Sequence, residues 1–241
     1  MKLCTFNIWN SNTDFNSRMN LLSKLIKENE IDILALQEVR DESIVKKLAD
    51  NCGYKFYNFS NYTNYGLAIL SKFPIRDIKT NFESASVHNS LVQRCIVSIN
   101  DFEVGVTNVH LDYASEENRL LGLDEALDLI ENNTNIFEVL LGDFNVDSES
   151  NIHFELRMDE FVDIYQSYCF KRNIFPEPTL DFNNPRWKNE EINQTPGRFD
   201  WIFVHTSNDY KIVHSELIGK DETNGITPSD HYGVVAEIKL P

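Results

Sequence analysis

Residues 137–147, FEVLLGDFNVD, end an apolar run on a carboxylate and a carboxamide. Val139, Leu140 and Leu141 read as a buried strand, and Asp143 and Asn145 follow at once. Five further patches repeat this design: TFNIWN, LALQEV, VTNVHLD, GRFDWIFV and PSDHYGVV. Each brings Asn, Asp, Glu or His to the end of a β-type stretch. A polar group leaving an apolar strand must be satisfied by hydrogen bonds or a metal. A lone strand-end Asp is usually a turn or cap residue, but six such patches are hard to explain as independent turns. The net charge of −16 fits either simple solubility or bound divalent cations that supply the positive charge a phosphate substrate needs.

The elements that carry these patches alternate between strand and helix. Leu3 to Ile8 reads as a strand, and Phe15, Met19, Leu22 and Ile26 recur at helical spacing over about 14–29. Ile31 to Leu36 is a continuous apolar strand, followed by a short helix around Ile44, Val45 and Leu48. Tyr54 to Phe59, Gly66 to Leu70, Arg94 to Ile99 and Glu103 to Val109 have strand composition. Ser115, with Glu116 and Glu117 behind it, starts a helix that runs to about Ile130. The strands Ile136 to Leu141, Phe199 to Val204, Lys211 to Leu217 and Tyr232 to Leu240 follow.

An internal echo organises the pattern. CTFNI, a helix and DILALQEV place Asn7 and Glu38 at two strand ends. GVTNVHL, a helix and FEVLLGDFNV place Asn108, His110, Asp143 and Asn145 in the same relative positions. Two such units suggest two similar sheets packed face to face, with their polar strand ends meeting at one rim.

The 241 residues, 41% hydrophobic and 25% charged, fit one globular domain over 1–241 and not a disordered chain. No basic face of the kind that holds long duplex DNA is visible. The cysteines Cys4, Cys52, Cys95 and Cys169 show no zinc-site spacing and read as free thiols. No apolar run approaches about 18 residues, so no membrane span is expected. MKLCTFNIWN reads as a strand and not a signal peptide, and the expected compartment is the cytoplasm.

In order along the chain, TFNIW, LQEV, YGLAILSKFPI, TNVHLD, GDFNV, FDWIFV and SDHYGV resemble the endonuclease/exonuclease/phosphatase superfamily. That superfamily includes deoxyribonuclease-I-like nucleases, apurinic endonucleases, tyrosyl-DNA phosphodiesterases, deadenylases, sphingomyelinases and inositol polyphosphate phosphatases. The resemblance spans residues 5–234. It implies an α/β fold, a four-layered α/β/β/α sandwich of two mostly antiparallel sheets packed face to face with helices outside. It also implies a metal-dependent phosphoric ester hydrolase that uses Mg²⁺ or Mn²⁺.

The roles implied follow phosphodiester chemistry, which needs a cation on the phosphate, an activated water and help for the leaving oxygen. Glu38 is the first metal ligand expected, with Asn7 ligating or orienting beside it and Asp230 as a second ligand. Asp143 matches the residue that orients and deprotonates the attacking water, and Asn145 holds phosphate or metal. His231 contacts the scissile phosphate, and Asp200 either fixes its tautomer or merely pairs with Arg198. His110 matches a histidine placed against the phosphate or leaving group. Glu38, Asp143, Asn145 and His231 are all present, which argues against a binding module with a dead site.

Substrate recognition is less legible. The 171–198 segment carries Phe175, Phe182, Arg186, Trp187 and Lys188 with little periodicity. It is either a binding loop for a single-stranded or nucleotide substrate or an ordinary surface excursion. Asn64 and Tyr65 either touch substrate or turn a hairpin, and Arg119 either braces the site or forms a helix salt bridge. The expected substrate is a nucleic-acid end, nick or oligonucleotide, single-stranded or nicked. The alternative is a small or lipid-linked phosphate, such as a sugar phosphate, an inositol phosphate or a sphingomyelin-like head group. No obligate protein partner is evident.

Overall fold

A computed structural model describes residues 1–131, 136–187, 195–206 and 209–240. Two six-stranded sheets build it. The first runs in the order β11 (Lys211–Ile218), β12 (Gly233–Lys239), β1 (Lys2–Asn7), β2 (Ile33–Val39), β4 (Tyr65–Ser71) and β3 (Phe56–Tyr62). The second runs β5 (Ile75–Thr80), β6 (Leu91–Ile99), β7 (Phe102–His110), β8 (Phe137–Asp143), β10 (Asp200–His205) and β9 (Val162–Asp163). Two neighbouring pairs are parallel, β1 with β2 and β7 with β8. The other pairs are antiparallel. The helix α1 (Phe15–Glu28) joins the first parallel pair and α4 (Glu116–Glu131) the second. The repeated strand–helix–strand unit in the sequence is therefore the centre of each sheet.

Each helix forms for a local reason. Met19, Leu22 and Ile26 make one buried stripe on α1. In α2 (Glu42–Cys52) the Asp41 side chain accepts from the Ser43 amide, and Gly53 ends the helix at φ 78°. Ser115 accepts from the Asn118 amide at the start of α4, as the sequence leads one to expect. The helix α5 (Asn151–Met158) is capped by Ser150, and α6 (Ile164–Phe170) by Asp163. A four-residue helix, α3, spans Ala85–His88.

Three apolar layers result. Leu3, Ile33, Ile69, Val97, Val106, Val139, Ile202 and Ala236 meet between the sheets. The helices α1 and α2 cover the outer face of the first sheet through Leu22, Ile26, Val45 and Leu48. Leu123, Ala126, Ile152 and Leu156 cover the second. The chain is thus the expected four-layered sandwich. The helix α6 departs from that scheme: Ile164, Tyr165 and Cys169 enter the layer between the sheets. Sequence periodicity misses β5, α5 and α6. The strand β5 is an exposed edge strand with a mostly polar sequence, and α5 and α6 are too short to show a helical period.

Candidate active site

The side chains expected to be catalytic form the last layer of the core between the sheets. Side chains alternate along a strand, so Phe137, Val139, Leu141 and Asp143 share one face of β8. The same parity sets Asp200 in line with Ile202 and Val204 on β10, and Asn7 in line with Leu3 on β1. Register completes the row: Asp143 lies opposite His110 on one side and Asp200 on the other. Below this layer sits a buried amide layer. Gln37 Nε2 donates to Asn108 Oδ1 at 2.7 Å and to Thr5 Oγ1 at 3.0 Å. Asn108 Nδ2 donates across to the Leu36 and Ala68 carbonyls and so ties the two sheets together.

Glu38 breaks this parity. Leu34 and Leu36 face the outer helices, and simple alternation would send Glu38 the same way. The β2–β4 register shifts between Leu36 and Val39, and Glu38 takes φ 59°. This bulge turns its carboxylate into the cleft. There it accepts from the Asn10 amide at 2.7 Å and from Asn7 Nδ2 at 3.1 Å.

Asn7 is the bracket between the acids. Its Nδ2 also donates to Asp143 Oδ2 at 2.9 Å, while its Oδ1 accepts from the Trp9 amide at 3.0 Å. In this arrangement the amide nitrogen faces the two carboxylates and the oxygen faces the Trp9 amide. Asp143 Oδ1 accepts from the Asn145 amide at 2.9 Å, and Asn145 Nδ2 donates to the Leu111 carbonyl. Asn145 has φ 51°, which asparagine tolerates better than most residues. His110 Nε2 lies 3.9 Å from Glu38 Oε1 and 3.8 Å from Asp143 Oδ2. His231 Nδ1 hydrogen-bonds Asp200 Oδ2 at 2.9 Å and lies 4.0 Å from Asp143 Oδ2. Arg198 binds Asp163 instead, in a buried cluster with His153, which leaves Asp200 to His231.

The electrostatics follow from burial and crowding. Burial opposes charge on His231, but Asp200 and then Asp143 outweigh it and hold the imidazolium well above its ordinary range. Burial raises Asp200, with His231 opposing and Asp143 adding to the rise. Asp230 is pushed up to about 6 by burial, against His231 and with Glu38 adding.

Among the described residues, donor atoms of Asp143, Asp200 and His231 lie within 4.8 Å of one another and could hold a metal ion. Within that group His231 Nδ1 is already hydrogen-bonded to Asp200. Glu38 fits a hard divalent cation better. Each of its oxygens accepts one hydrogen bond, and its side chain is 25% exposed to the cleft.

The residues expected to bind substrate divide. Arg119 Nη1 donates to the Asp112 carbonyl at 2.9 Å, bracing the loop after His110, and its Nε has no partner. Trp187 Nε1 donates to the Asp230 carbonyl at 3.3 Å, and its ring packs on Phe182. Arg186 is held by Asp14 and Thr227. Asn64 is exposed in the β3–β4 turn itself. Lys188 lies outside the described residues. The open space beside Asn145 is lined by other side chains. A cavity of about 430 Å³ beside Asn145 is walled by Tyr113, Val146, Asp147 and Phe199. It shares Asp147 and Gly197 with a groove of about 560 Å³ that reaches Phe170 and Phe175. Tyr113 is 77% exposed, and its place just after HLD was the one available signal for it.

With this geometry the chain belongs to the endonuclease/exonuclease/phosphatase family, whose profile matches residues 4–231. It is a phosphoric ester hydrolase of that class. A truncated TDP2 from Caenorhabditis elegans shares the fold at TM-score 0.79 and 22% identity, covering 100% of this chain and 97% of that one. TDP2 from D. rerio, complexed with a single-strand DNA product, reaches TM-score 0.81 at 17% identity over 100% and 99% of the two chains. A mannosyl-6-phosphatase from Bacteroides thetaiotaomicron gives 0.75 at 18% over 100% of both. At these identities the likeness is one of fold. No curated protein matches the chain in sequence.

Proposed function

We propose that this protein hydrolyses phosphodiester bonds with a divalent cation, Mg²⁺ or Mn²⁺, and that its substrate is a nucleic-acid end or oligonucleotide. The observation that carries the reading is the meeting of Glu38, Asn7, His110 and Asp143, from both sheets, with donor–acceptor distances from 2.9 to 3.9 Å. Glu38 would hold the cation, with Asp230 as a second candidate ligand, and a bound cation would supply positive charge against the phosphate. Asp143, kept in orientation by Asn7 and Asn145, accepts the proton of the attacking water. His231, kept cationic by Asp200, stabilises charge on the phosphate oxygens. His110 faces the leaving group. Tyr113, Phe199 and Phe175 offer faces on which unpaired bases stack.

A second reading, a phosphatase for a small phosphate ester, is favoured by Asp147 and Glu149 in the groove and by the net charge of −16. Both repel a polyanionic strand. Four free thiols suit a reducing compartment such as the cytoplasm. No helix among the described residues is long and apolar enough to cross a membrane.

The test is turnover of bis-p-nitrophenyl phosphate with Mn²⁺, abolished by EDTA. A single-stranded oligonucleotide, nicked duplex and sugar phosphate are then compared across a salt series. Steep salt dependence on the oligonucleotide supports the first substrate class, and preference for sugar phosphate with a flat response supports the second. No turnover with any divalent ion refutes both.

A further inference from the structure

The internal echo extends to two arginines. Arg18 and Arg119 are each the fourth residue of their helices, and each follows an asparagine, Asn7 or Asn108, by eleven positions. Each reaches back to carbonyls of its own strand–helix loop. Arg119 makes one such bond, to Asp112. Arg18 makes a full set. Its Nε donates to Thr13 at 2.8 Å, Nη1 to Ile8 at 2.8 Å and Pro228 at 3.1 Å, and Nη2 to Trp9 at 3.2 Å and Ser11 at 2.7 Å. The acceptors match the five N–H groups of a guanidinium. The side chain is fully buried, with the Trp9 ring 4.8 Å and the Phe15 ring 5.8 Å away.

The grip falls on the loop that presents the acids. Trp9 has φ 55°, an uncommon conformation for a bulky residue, and Arg18 holds its carbonyl. The amides of Trp9 and Asn10 are thereby aimed at Asn7 Oδ1 and Glu38 Oε2. The bond to Pro228 ties the same guanidinium to the segment that carries Asp230 and His231. One buried cation thus joins a loop from the front of the chain to a loop near its end, on the Glu38 side of the cleft.

We infer that Arg18 is a positioning residue for the cation site: its guanidinium clamps loops 8–13 and 228–231 so that Glu38 and Asp230 are held ready for a divalent ion. The inference rests on the proposed metal-binding role of Glu38. Lysine has three donors for five carbonyls and cannot replace the clamp.

The test is calorimetric titration of Mn²⁺ into metal-free wild type, Arg18→Lys, Arg18→Ala and a packing control, Leu22→Ala. Urea unfolding of each runs alongside. Mn²⁺ affinity is expected to fall roughly 10–100-fold in both Arg18 variants, the usual effect of losing a group that orients a ligand. Leu22→Ala, destabilised through the helix–sheet core, is expected to keep wild-type affinity. Millimolar guanidinium, far below denaturing concentrations, is expected to restore affinity in Arg18→Ala, and ammonium is not. Should Arg18→Ala fail to fold, Arg18→Lys carries the comparison. Wild-type affinity in Arg18→Lys, or an equal loss in Leu22→Ala, overturns this inference alone. A wild type that binds no Mn²⁺ overturns the metal reading and this inference with it.

Discussion

Replacing Asp200 by asparagine isolates what its charge does for His231. The two side chains share a 2.9 Å hydrogen bond in a fully buried setting. Asparagine keeps the shape and an acceptor oxygen but not the charge. A hydrogen bond to a charged group contributes about 1.5–3 kcal/mol, roughly twice a neutral one. The lost half is about 0.75–1.5 kcal/mol, or roughly 3–12-fold in rate where His231 stays protonated. At higher pH the loss grows. Asp200 is the larger of the two charges that outweigh burial and hold the His231 pKa up, so its removal moves that pKa down. Activity that depends on the imidazolium is lost as pH rises through the folded-state pKa, so the alkaline limb must move to lower pH. The stability from this pair obeys the same sign: it is full below the unfolded histidine value of about 6.5 and is lost as pH rises through the raised folded value. The assay is kcat/KM for bis-p-nitrophenyl phosphate from acid to alkaline pH at fixed Mn²⁺, with urea unfolding at the extremes. An Asp200→Asn profile parallel to wild type, lower by one constant factor, would refute the reasoning.

Asp143→Asn is expected to cut kcat by at least about 10²-fold while leaving the urea midpoint close to wild type, and a smaller loss removes Asp143 as the base. For metal-free protein, the rise of Asp230 to about 6 means the folded state binds its proton more tightly than the unfolded state. Stability therefore falls between about pH 4 and 6.5, by about 2 kcal/mol from this group alone. Asp230→Asn should remove that fall, and urea curves at both pH values would expose an unchanged difference. Gly142 sits at φ 143°, where an added Cβ would lie 2.0 Å from the Val109 carbonyl oxygen. Gly142→Ala should therefore cost at least about 2 kcal/mol and disturb the Asp143 strand end; thermal melts within a degree of wild type would contradict this.

Much of this molecule can be read from strand endings. The two parallel units, the acids at their ends and the Asp200–His231 partnership are all foreshadowed by TFNIW, LQEV, GDFNV, FDW and SDH. The polar ends of apolar strands carry that signal because alternation puts them at the rim of a buried face. Arg18 was invisible because its acceptors are main-chain carbonyls, which leave no side-chain pattern. Tyr113 and Phe199 flank the HLD and DWIFV patches, where residue type alone does not mark a groove wall. In the segment 171–198 the cation Arg186 and the ring Trp187 also bond to neighbouring loops, with Arg186 Nη2 left without a partner among the described residues.

Residue order alone set which groups exist and which strand ends bear them, because periodicity and parity are local properties of the chain. Whether Glu38 faces the cleft was decided by the bulge against β4, and where the Asn7 amide points by its bonds to Asp143 and the Trp9 amide. The bulge needs the pairing of β2 with β4, and Asn7 meets Asp143 only because the second sheet packs on the first; no single stretch of residues contains either contact.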